Sequence, residues 1–279
     1  MKLIGVVVKE RSPEALEASR VLAGYLDGKG IGHFTILSKS ADVGEETWAK
    51  IPGSDLCVTL GGDGTLLFAA RVFSRYAVPI VGINMGGLGF LTEYRKSELI
   101  DCVESAIKGT ASLDERIMID VQVRRTGKKV FEGTGLNDLV VTCGGISRLI
   151  DLVVSCGGDL VGDYRSDGII VSTPTGSTAY SLAAGGPILD PRMDAFVISP
   201  ICPHVLGARP LVVPTGGGVR IEVKTGGIEV TATVDGQIAF ELACEDEIVV
   251  EKSALRTRLV SLKSRSFYDI LREKLSWKG

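Results

Sequence analysis

The first hundred residues alternate short apolar runs with longer amphipathic stretches. Segments 13–28 and 65–76 carry apolar residues at helical spacing, and the runs around them are rich in Val, Ile and Leu: LIGVVV, HFTIL, DLCVTL and PIVGIN. This alternation predicts parallel strands joined by helical crossovers. We therefore expect an α/β domain over residues 1–112, with an open sheet of Rossmann or flavodoxin type. Its last helix should start at a Ser97 cap and stop at Gly109.

The hydrophobic period changes from about residue 114 onward. Alternating or continuous apolar runs are now separated by glycine-rich turns: IMIDVQVRR, LNDLVVTC, RLIDLVVSC, GIIVSTP and IEVTATVDGQ. This pattern predicts a β-rich, sandwich-like domain over residues 113–262. Segment 264–275 turns helical again, with Phe267, Ile270, Leu271 and Leu275 on one face. We expect residues 263–279 to form a C-terminal helix that packs on the first domain.

Charge and composition limit the classes of partner. The chain has 31 Lys and Arg against 34 Asp and Glu, a formal charge of −3, so no global attraction to nucleic acid is expected. No apolar stretch approaches the roughly 20 residues of a membrane-spanning helix. We expect a cytoplasmic protein with no nucleic-acid or membrane partner, whose anionic ligands are bound locally.

Cysteine and histidine spacing says little about metals. The six cysteines form no CxxC pair, and His33 and His204 are the two histidines. Cys202 and His204 could be a fragment of a metal site, but no second ligand cluster accompanies them. We expect no metal site built from protein side chains alone.

The segment GGDGT at 61–65 follows a buried-type strand and precedes an amphipathic helix, with Thr65 as a candidate N-cap. Glycines at 61, 62 and 64 let the backbone approach phosphate oxygens, and a helix N-terminus adds positive potential. Gly61, Gly62, Gly64 and Thr65 are therefore candidate phosphate-binding residues.

Asp63 is the unusual member of this turn. A carboxylate repels phosphate unless it coordinates a bridging cation or accepts a proton from an attacking hydroxyl, so Asp63 indicates phosphoryl chemistry and is the candidate catalytic base. The alternative is a tight turn with a solvated Asp, because Asp and Gly are common turn residues.

Other nucleotide motifs are missing: the sequence contains no GxxxxGK[ST], no HRD or DFG, and no GxGxxG. GGDGT itself resembles NAD kinases, diacylglycerol-type lipid kinases and, as GGDG, phosphofructokinases. Four later segments resemble the NAD kinases: VGINMGGLGFLTE at 81–93, LNDLVV at 136–141, residues 163–187 and TVDGQ at 233–237. The resemblance covers almost the whole chain and keeps the family's order, while the PxGTxND pattern of lipid kinases is absent.

The resemblance implies phosphoryl transfer from ATP, with Mg²⁺ or another divalent cation arriving with the nucleotide, to the adenosine ribose 2′-hydroxyl of NAD. The products would be NADP and ADP. It also implies a homodimer or homotetramer. A lipid or sugar kinase and a non-catalytic NAD-binding regulator remain open, as do polyphosphate as donor, NADH as acceptor and inhibition by NADP(H).

Several residues have a physical interpretation beside the resemblance. Asn137 offers a donor and acceptors to a base or ribose, and Asp138 can accept two ribose hydroxyls; strand-end turn chemistry is the alternative. Tyr180 could stack on a base or belong to a core. Arg165 and Asp167 are two residues apart on an extended stretch and should share a face. The resemblance implies that they bind dinucleotide groups, and a surface ion pair is the alternative.

The full NAD-binding set implied by the resemblance combines the glycine turn, the pair Asn137 and Asp138, the pair Arg165 and Asp167, and the segment 178–183. Ala183 departs from the Ser that relatives more often carry, which removes a hydroxyl contact. The set is Asp63, Gly64, Phe90, Asn137, Asp138, Arg148, Arg165, Asp167, Thr178, Ala179, Tyr180, Ser181, Leu182, Ala183 and Gln237.

Overall fold

The structure is a computed structural model that describes residues 1–38, 44–87, 89–144, 149–205, 207–262 and 265–277. Its strands are β1 (Leu3–Lys9), β2 (Gly32–Ser38), β3 (Leu56–Gly61), β4 (Ile80–Asn84), β5 (Tyr94–Arg95), β6 (Ser112–Arg125), β7 (Lys128–Gly135), β8 (Asp138–Cys143), β9 (Ile150–Cys156), β10 (Asp159–Ser166), β11 (Gly168–Ser172), β12 (Ala195–Ile201), β13 (Leu211–Pro214), β14 (Val219–Val223), β15 (Val230–Val234), β16 (Ile238–Leu242) and β17 (Glu247–Ser261). The helices are α1 (Pro13–Gly28), α2 (Glu45–Trp48), α3 (Asp63–Phe73), α4 (Leu99–Ile107), α5 (Tyr180–Ala183) and α6 (Phe267–Leu275).

The chain divides into two compact units, residues 1–115 with 255–279 and residues 116–254. The first unit contains a parallel sheet in the order β4-β3-β1-β2, and β17 pairs with β4 in parallel at Leu259 and Ile80. Residues 255–262, which the sequence predicts in the second domain, therefore belong with the first unit, because this end of β17 continues its sheet.

Two helices of the first unit, α1 and α6, start at residues whose side chains cap them. The Ser12 side chain accepts a hydrogen bond from the Ala15 amide at 3.3 Å, and Pro13 occupies the first position of α1. Ser266 and Asp269 form a capping box at the start of α6. Apolar side chains of α1, α4 and the central strands form one core, with residues such as Leu22, Val58 and Val103 fully buried. Burying each such side chain stabilises the unit by roughly 1.5–3 kcal/mol.

The second unit is β-rich. A six-stranded antiparallel sheet runs in the order β13-β12-β11-β8-β15-β16, and a second antiparallel set pairs β10 with β9, β9 with β14 and β14 with β17. Their apolar faces share a core that includes Val141, Val154, Phe196 and Ile221. The alternation of buried and exposed residues in strands such as β14 is typical of sheets with one covered face.

The predicted fold class, an α/β domain followed by a β-rich one, is confirmed. Two predictions about α4 and α5 are wrong. Ser97 does not cap α4, since residues 96–98 form a 3-10 turn and Glu98 is the N-cap. The helix predicted from STAYSLAA is only the single turn α5, preceded by a 3-10 turn at 176–178. No helix in the part of the chain that the structure describes is long and apolar enough to cross a membrane.

Candidate functional site

The GGDGT turn joins the end of β3 to the start of α3. Helix α3 begins at Asp63, and Gly62 is its N-cap. Thr65 was predicted as the N-cap and lies inside the first turn instead, because the amides of Thr65 and Leu66 already bond to the Gly62 carbonyl at 2.9 and 3.2 Å. Gly62 has no side chain that could cap the helix. The positive potential of a helix N-terminus favours anions near this turn.

The Asp63 carboxylate is held by three consecutive backbone amides. Phe90 N donates to Oδ2 at 2.9 Å, whereas Leu91 N and Thr92 N donate to Oδ1 at 3.1 and 3.0 Å. The Thr92 hydroxyl also bonds to Oδ1, at 2.9 Å. The partners of the GGDGT carboxylate thus come from the segment VGINMGGLGFLTE. Charge-assisted bonds of this kind are roughly twice as strong as neutral ones, so the carboxylate is firmly oriented.

Two glycines make room for this arrangement. A Cβ at Gly89 would overlap with Asp63 Oδ1 and the Thr92 hydroxyl, and a Cβ at Gly61 would overlap with the Thr65 side chain. Glycine is required at both positions by close approach rather than by a positive φ angle.

A further polar residue, Asn84, stands at the end of β4 beside this network. Its side-chain amide donates to the Thr92 hydroxyl at 2.8 Å. An open pocket of about 440 Å³ lies next to Asn84, with Arg95 and Lys96 in its lining. Both cations have carboxylate partners, Glu273 at 3.7 Å from Arg95 and Glu17 at 2.8 Å from Lys96.

In the second unit, Asp235 likewise binds three consecutive amides. Leu136 N donates to Oδ2 at 2.8 Å, and the amides of Asn137 and Asp138 donate to Oδ1 at 2.7 and 3.2 Å. Asp235 lies in the turn between β15 and β16, where it and Gly236 adopt φ angles of 53° and 63°. Asp and Gly tolerate this left-handed backbone, so the DGQ sequence suits the turn.

Asn137 is the residue whose surroundings point most directly to a ligand. It is 8% exposed, and its Oδ1 atom is buried without a hydrogen-bond partner among the described residues. The Thr175 hydroxyl is buried without a partner in the same way. Both belong to one backbone arrangement, because Thr173 N bonds to the Asn137 carbonyl at 2.8 Å and a Cβ at Gly176 would overlap with that carbonyl. Buried polar atoms normally have a partner, so these two indicate ligand contacts.

Asp138 is buried, at 4% exposure, at the start of β8. Burial, and secondly the charge of Asp235, raise the pKa of Asp138 from its ordinary value of 3.8 to about 7. Desolvation disfavours the charged form and a neighbouring carboxylate adds repulsion. Near neutral pH the carboxyl can therefore either donate or accept a hydrogen bond. Strongly perturbed pKa values are typical of functional sites.

The segment 178–183 contains both exposed and buried residues. Tyr180 is 45% exposed, which excludes the core alternative, and Ala183 is also exposed. Thr178, Ala179 and Leu182 are half-buried. Ser181 is fully buried, and its hydroxyl lies 2.9 Å from that of Ser199, so this hydroxyl already has a protein partner.

The remaining predicted residues lie at turns and strand ends. Arg165 and Asp167 are exposed on either side of the buried Ser166, and Arg165 lies 3.8 Å from Asp151. Gln237 is exposed in the β15–β16 turn, with its amide bonded to the Val234 carbonyl. The Phe90 ring lies 5.6 Å from the Lys274 ammonium group. Gly64 is exposed in the first turn of α3, and Arg148 lies outside the described residues.

Four polar residues of these two clusters were not among the predicted site residues: Asn84, Thr92, Thr175 and Asp235. Each lies within a segment that resembles the NAD kinases, and this resemblance is the sequence signal that could have identified it. Hydrophobic periodicity alone does not separate these four residues from neighbouring turn residues. Across the described residues, no three His, Cys, Asp or Glu side chains are grouped so that they could hold a metal ion.

Two family models match the chain. The model of the ATP-NAD kinase N-terminal domain matches residues 4–111, and the model of the ATP-NAD kinase C-terminal domain matches residues 136–262. The NAD kinase of Syntrophotalea carbinolica is 41% identical over 282 residues, covering 99% of each chain. The NAD kinase of Carboxydothermus hydrogenoformans is 46% identical over 235 residues, covering 84% of this chain and 82% of the relative.

Solved structures show the same fold. Yeast NADH kinase, solved with NADH, has a TM-score of 0.89 at 24% identity and covers 100% of this chain and 88% of its own. An NAD kinase from Archaeoglobus fulgidus, solved with ATP, has a TM-score of 0.77 at 24% identity, covering 99% and 100%. Both family models and the full-length relatives agree with the motifs and the fold, and the chain belongs to the NAD kinase family.

Proposed function

We infer that the chain is an NAD kinase that transfers the γ-phosphoryl group of ATP to the 2′-hydroxyl of the adenosine ribose of NAD, giving NADP and ADP. The observation that carries this inference is the Asp63 carboxylate, fixed by backbone amides inside a glycine turn that opens a helix. A carboxylate so placed suits a proton acceptor better than a phosphate ligand.

Asp63 is proposed as the general base. The 2′-hydroxyl oxygen attacks the γ-phosphorus in line, its proton passes to the Asp63 carboxylate, and the bond from phosphorus to the bridging oxygen of ADP breaks. Phosphate oxygens are proposed to bind at the glycine turn, through Gly61, Gly62, Gly64 and Thr65. The glycine residues support this role because they let phosphate oxygens approach the backbone without a Cβ in the way.

The second unit is proposed to bind NAD. Two observations favour it: the buried oxygens of Asn137 and Thr175, which have no hydrogen-bond partner within the described part of the chain, and the exposed ring of Tyr180. Asn137 would bind the adenine edge or ribose, Asp138 would accept ribose hydroxyls, and Tyr180 would stack on a base. The other proposed contacts are Gly64, Phe90, Arg148, Arg165, Asp167, Thr178, Ala179, Ser181, Leu182, Ala183 and Gln237.

The divalent cation is proposed to be Mg²⁺ brought in by ATP. Mg²⁺ is commonly held by substrate phosphates with few protein ligands, and it neutralises the charge that develops during transfer. ATP and NADH in the structures of the two fold relatives suit the proposed donor and acceptor classes. We also propose that the protein is a cytoplasmic homodimer or homotetramer. Light scattering coupled to size-exclusion chromatography would measure the number of subunits.

The test is an assay of the purified chain with NAD, ATP and Mg²⁺, with NADP formation as the readout. Parallel reactions replace ATP by polyphosphate and NAD by NADH, diacylglycerol or fructose 6-phosphate. We expect NADP to form with ATP and Mg²⁺. Phosphorylation of diacylglycerol or fructose 6-phosphate, with no NADP under any donor or cation, would assign the chain's GGDG turn to the lipid or sugar kinases.

A further inference from the structure

We propose that Thr92 and Asn84 are positioning residues, which orient the Asp63 carboxylate so that Oδ2 is the atom that takes the proton in phosphoryl transfer. This proposal rests on the proposed function of Asp63 as base. It is carried by an unbroken chain of hydrogen bonds from Gly86 through Asn84 and Thr92 to Asp63.

The direction of this series of hydrogen bonds is fixed at the contact between Gly86 and Asn84. The Gly86 amide can only donate, and it lies 2.7 Å from Asn84 Oδ1. This contact assigns the oxygen of the Asn84 side chain to Gly86, so the NH₂ group of Asn84 faces the Thr92 hydroxyl at 2.8 Å. A backbone group therefore settles which end of the Asn84 amide faces Thr92.

The direction continues through Thr92. Its hydroxyl oxygen accepts from Asn84, so its single hydrogen is available for another acceptor, and Asp63 Oδ1 lies 2.9 Å away. Thr92 is 0% exposed and Asn84 is 6% exposed, so water has little access to this contact. The hydroxyl hydrogen consequently points at Asp63.

The two carboxylate oxygens end up with unequal surroundings. Among the described residues, Oδ1 accepts three hydrogen bonds, from Leu91 N, Thr92 N and the Thr92 hydroxyl, whereas Oδ2 accepts one, from Phe90 N. Each carboxylate oxygen offers about two lone-pair directions. Oδ1 is therefore fully engaged, and Oδ2 keeps an acceptor direction for the substrate hydroxyl.

In the proposed step, the proton of the ribose 2′-hydroxyl moves to Asp63 Oδ2. The electron pair of that O–H bond forms the new bond to the γ-phosphorus, and the pair of the broken phosphorus–oxygen bond stays on ADP. Rotation of the carboxylate would move Oδ2 away from the attacking oxygen. Misplacement by about 1 Å can reduce rate by about a hundredfold, so the orientation set by Thr92 matters for kcat.

The first test compares Thr92→Val, which removes the hydroxyl at nearly constant shape, with Thr92→Ser, which keeps it. We expect Thr92→Val to lower kcat roughly tenfold with little change in the KM of NAD or ATP, and Thr92→Ser to restore most of kcat. Each rate is expressed per folded enzyme, and thermal melting and NAD calorimetry measure the amount of folded enzyme. This is needed because Thr92→Val also leaves the Asn84 amide unpaired, which costs stability.

The second test uses Asn84→Asp, whose carboxylate still accepts from Gly86 but also draws the Thr92 hydroxyl away from Asp63. We expect a loss of kcat like that of Thr92→Val, and no further loss when Asn84→Asp is added to Thr92→Val, since no hydroxyl remains to redirect. The double variant carries the same added negative charge as Asn84→Asp, so it controls for the effect of that charge on kcat.

Three results would overturn the proposal: wild-type kcat in Thr92→Val, equal losses in Thr92→Val and Thr92→Ser, or independent effects that multiply in the double variant. Any of these with an active wild-type enzyme would leave the proposed function intact. A wild-type chain that forms no NADP would instead remove the proposed function itself.

Discussion

Asp63 in the first unit and Asp235 in the second are held in the same way. Each carboxylate binds three consecutive backbone amides, at residues 90–92 and 136–138 respectively. They differ in their surroundings. Asp63 begins a helix and is half-buried, whereas Asp235 is 7% exposed in a hairpin turn beside Asp138. The same amide arrangement therefore fixes the proposed base in one unit and the strand of the proposed NAD site in the other.

The largest expected effect tests the chemical side of this comparison. Asp63→Asn keeps size and turn propensity but cannot act as a base, so kcat should fall by about 10²- to 10⁴-fold while NAD binding partly survives. Asp55→Asn is the matched control, because Asp55 also accepts two backbone amides, from Lys2 and Leu3, just before β3. It should leave kcat unchanged.

Steady-state kinetics and NAD calorimetry provide the readout for Asp63→Asn. A near-normal kcat with an intact fold would assign the rate to positioning by the turn and the metal-nucleotide complex rather than to a base. A loss confined to the KM of ATP would identify Asp63 as a contact of that complex.

The next effect tests the binding side. Asn137→Ala and Tyr180→Ala should each raise the NAD KM by about tenfold to a hundredfold, because a lost polar contact or base stack commonly costs on the order of 1–3 kcal/mol. Tyr76→Ala is the control for Tyr180→Ala, since Tyr76 is similarly exposed, at 49%, in the first unit. An NAD KM equal to wild type in both variants would contradict their place in the NAD site.

The smallest expected effect concerns the ionisation of Asp138. With a pKa of about 7, its ionised fraction falls from about nine-tenths at pH 8 to about one-tenth at pH 6. If the ionised form accepts ribose hydroxyls, the NAD KM should rise about tenfold over this range. Asp138→Asn should remove this part of the pH dependence, and an unchanged profile would assign the pH dependence to another group.

The same pKa shift has a defined sign for stability. The folded chain binds the Asp138 proton more tightly than the unfolded chain, so this group's contribution to the free energy of unfolding increases as pH falls from about 7 towards 4.

Asp235→Asn should move the midpoint of the NAD KM profile to lower pH, because it removes the neighbouring charge that raises the pKa of Asp138. The midpoint should stay above the ordinary Asp value, because burial is the larger cause of the shift.

The two parts of the fold can be predicted from the sequence because hydrophobic period is a local signal: the period changes near residue 114, and the second unit starts at 116. Asp63 and Asn137 also stand out in the sequence. The start of α3 was misplaced at Thr65, since Gly62 gives no side-chain cap signal. The partners of Asp63 and Asp235 lie 27–29 and 97–99 residues away, and such pairing depends on tertiary folding.

The discontinuous first unit imposes an order on synthesis. Residues 1–115 emerge from the ribosome first, but the strand end that pairs with β4 and the Leu262 amide that donates to the Tyr94 hydroxyl emerge after the whole second unit. At ribosomal rates of about 5–20 residues per second, this interval lasts roughly 7–28 s. During that time the edge of β4 where Leu259 later pairs with Ile80 can attract other strands, so this edge is exposed to mispairing until residues 255–262 have been synthesised.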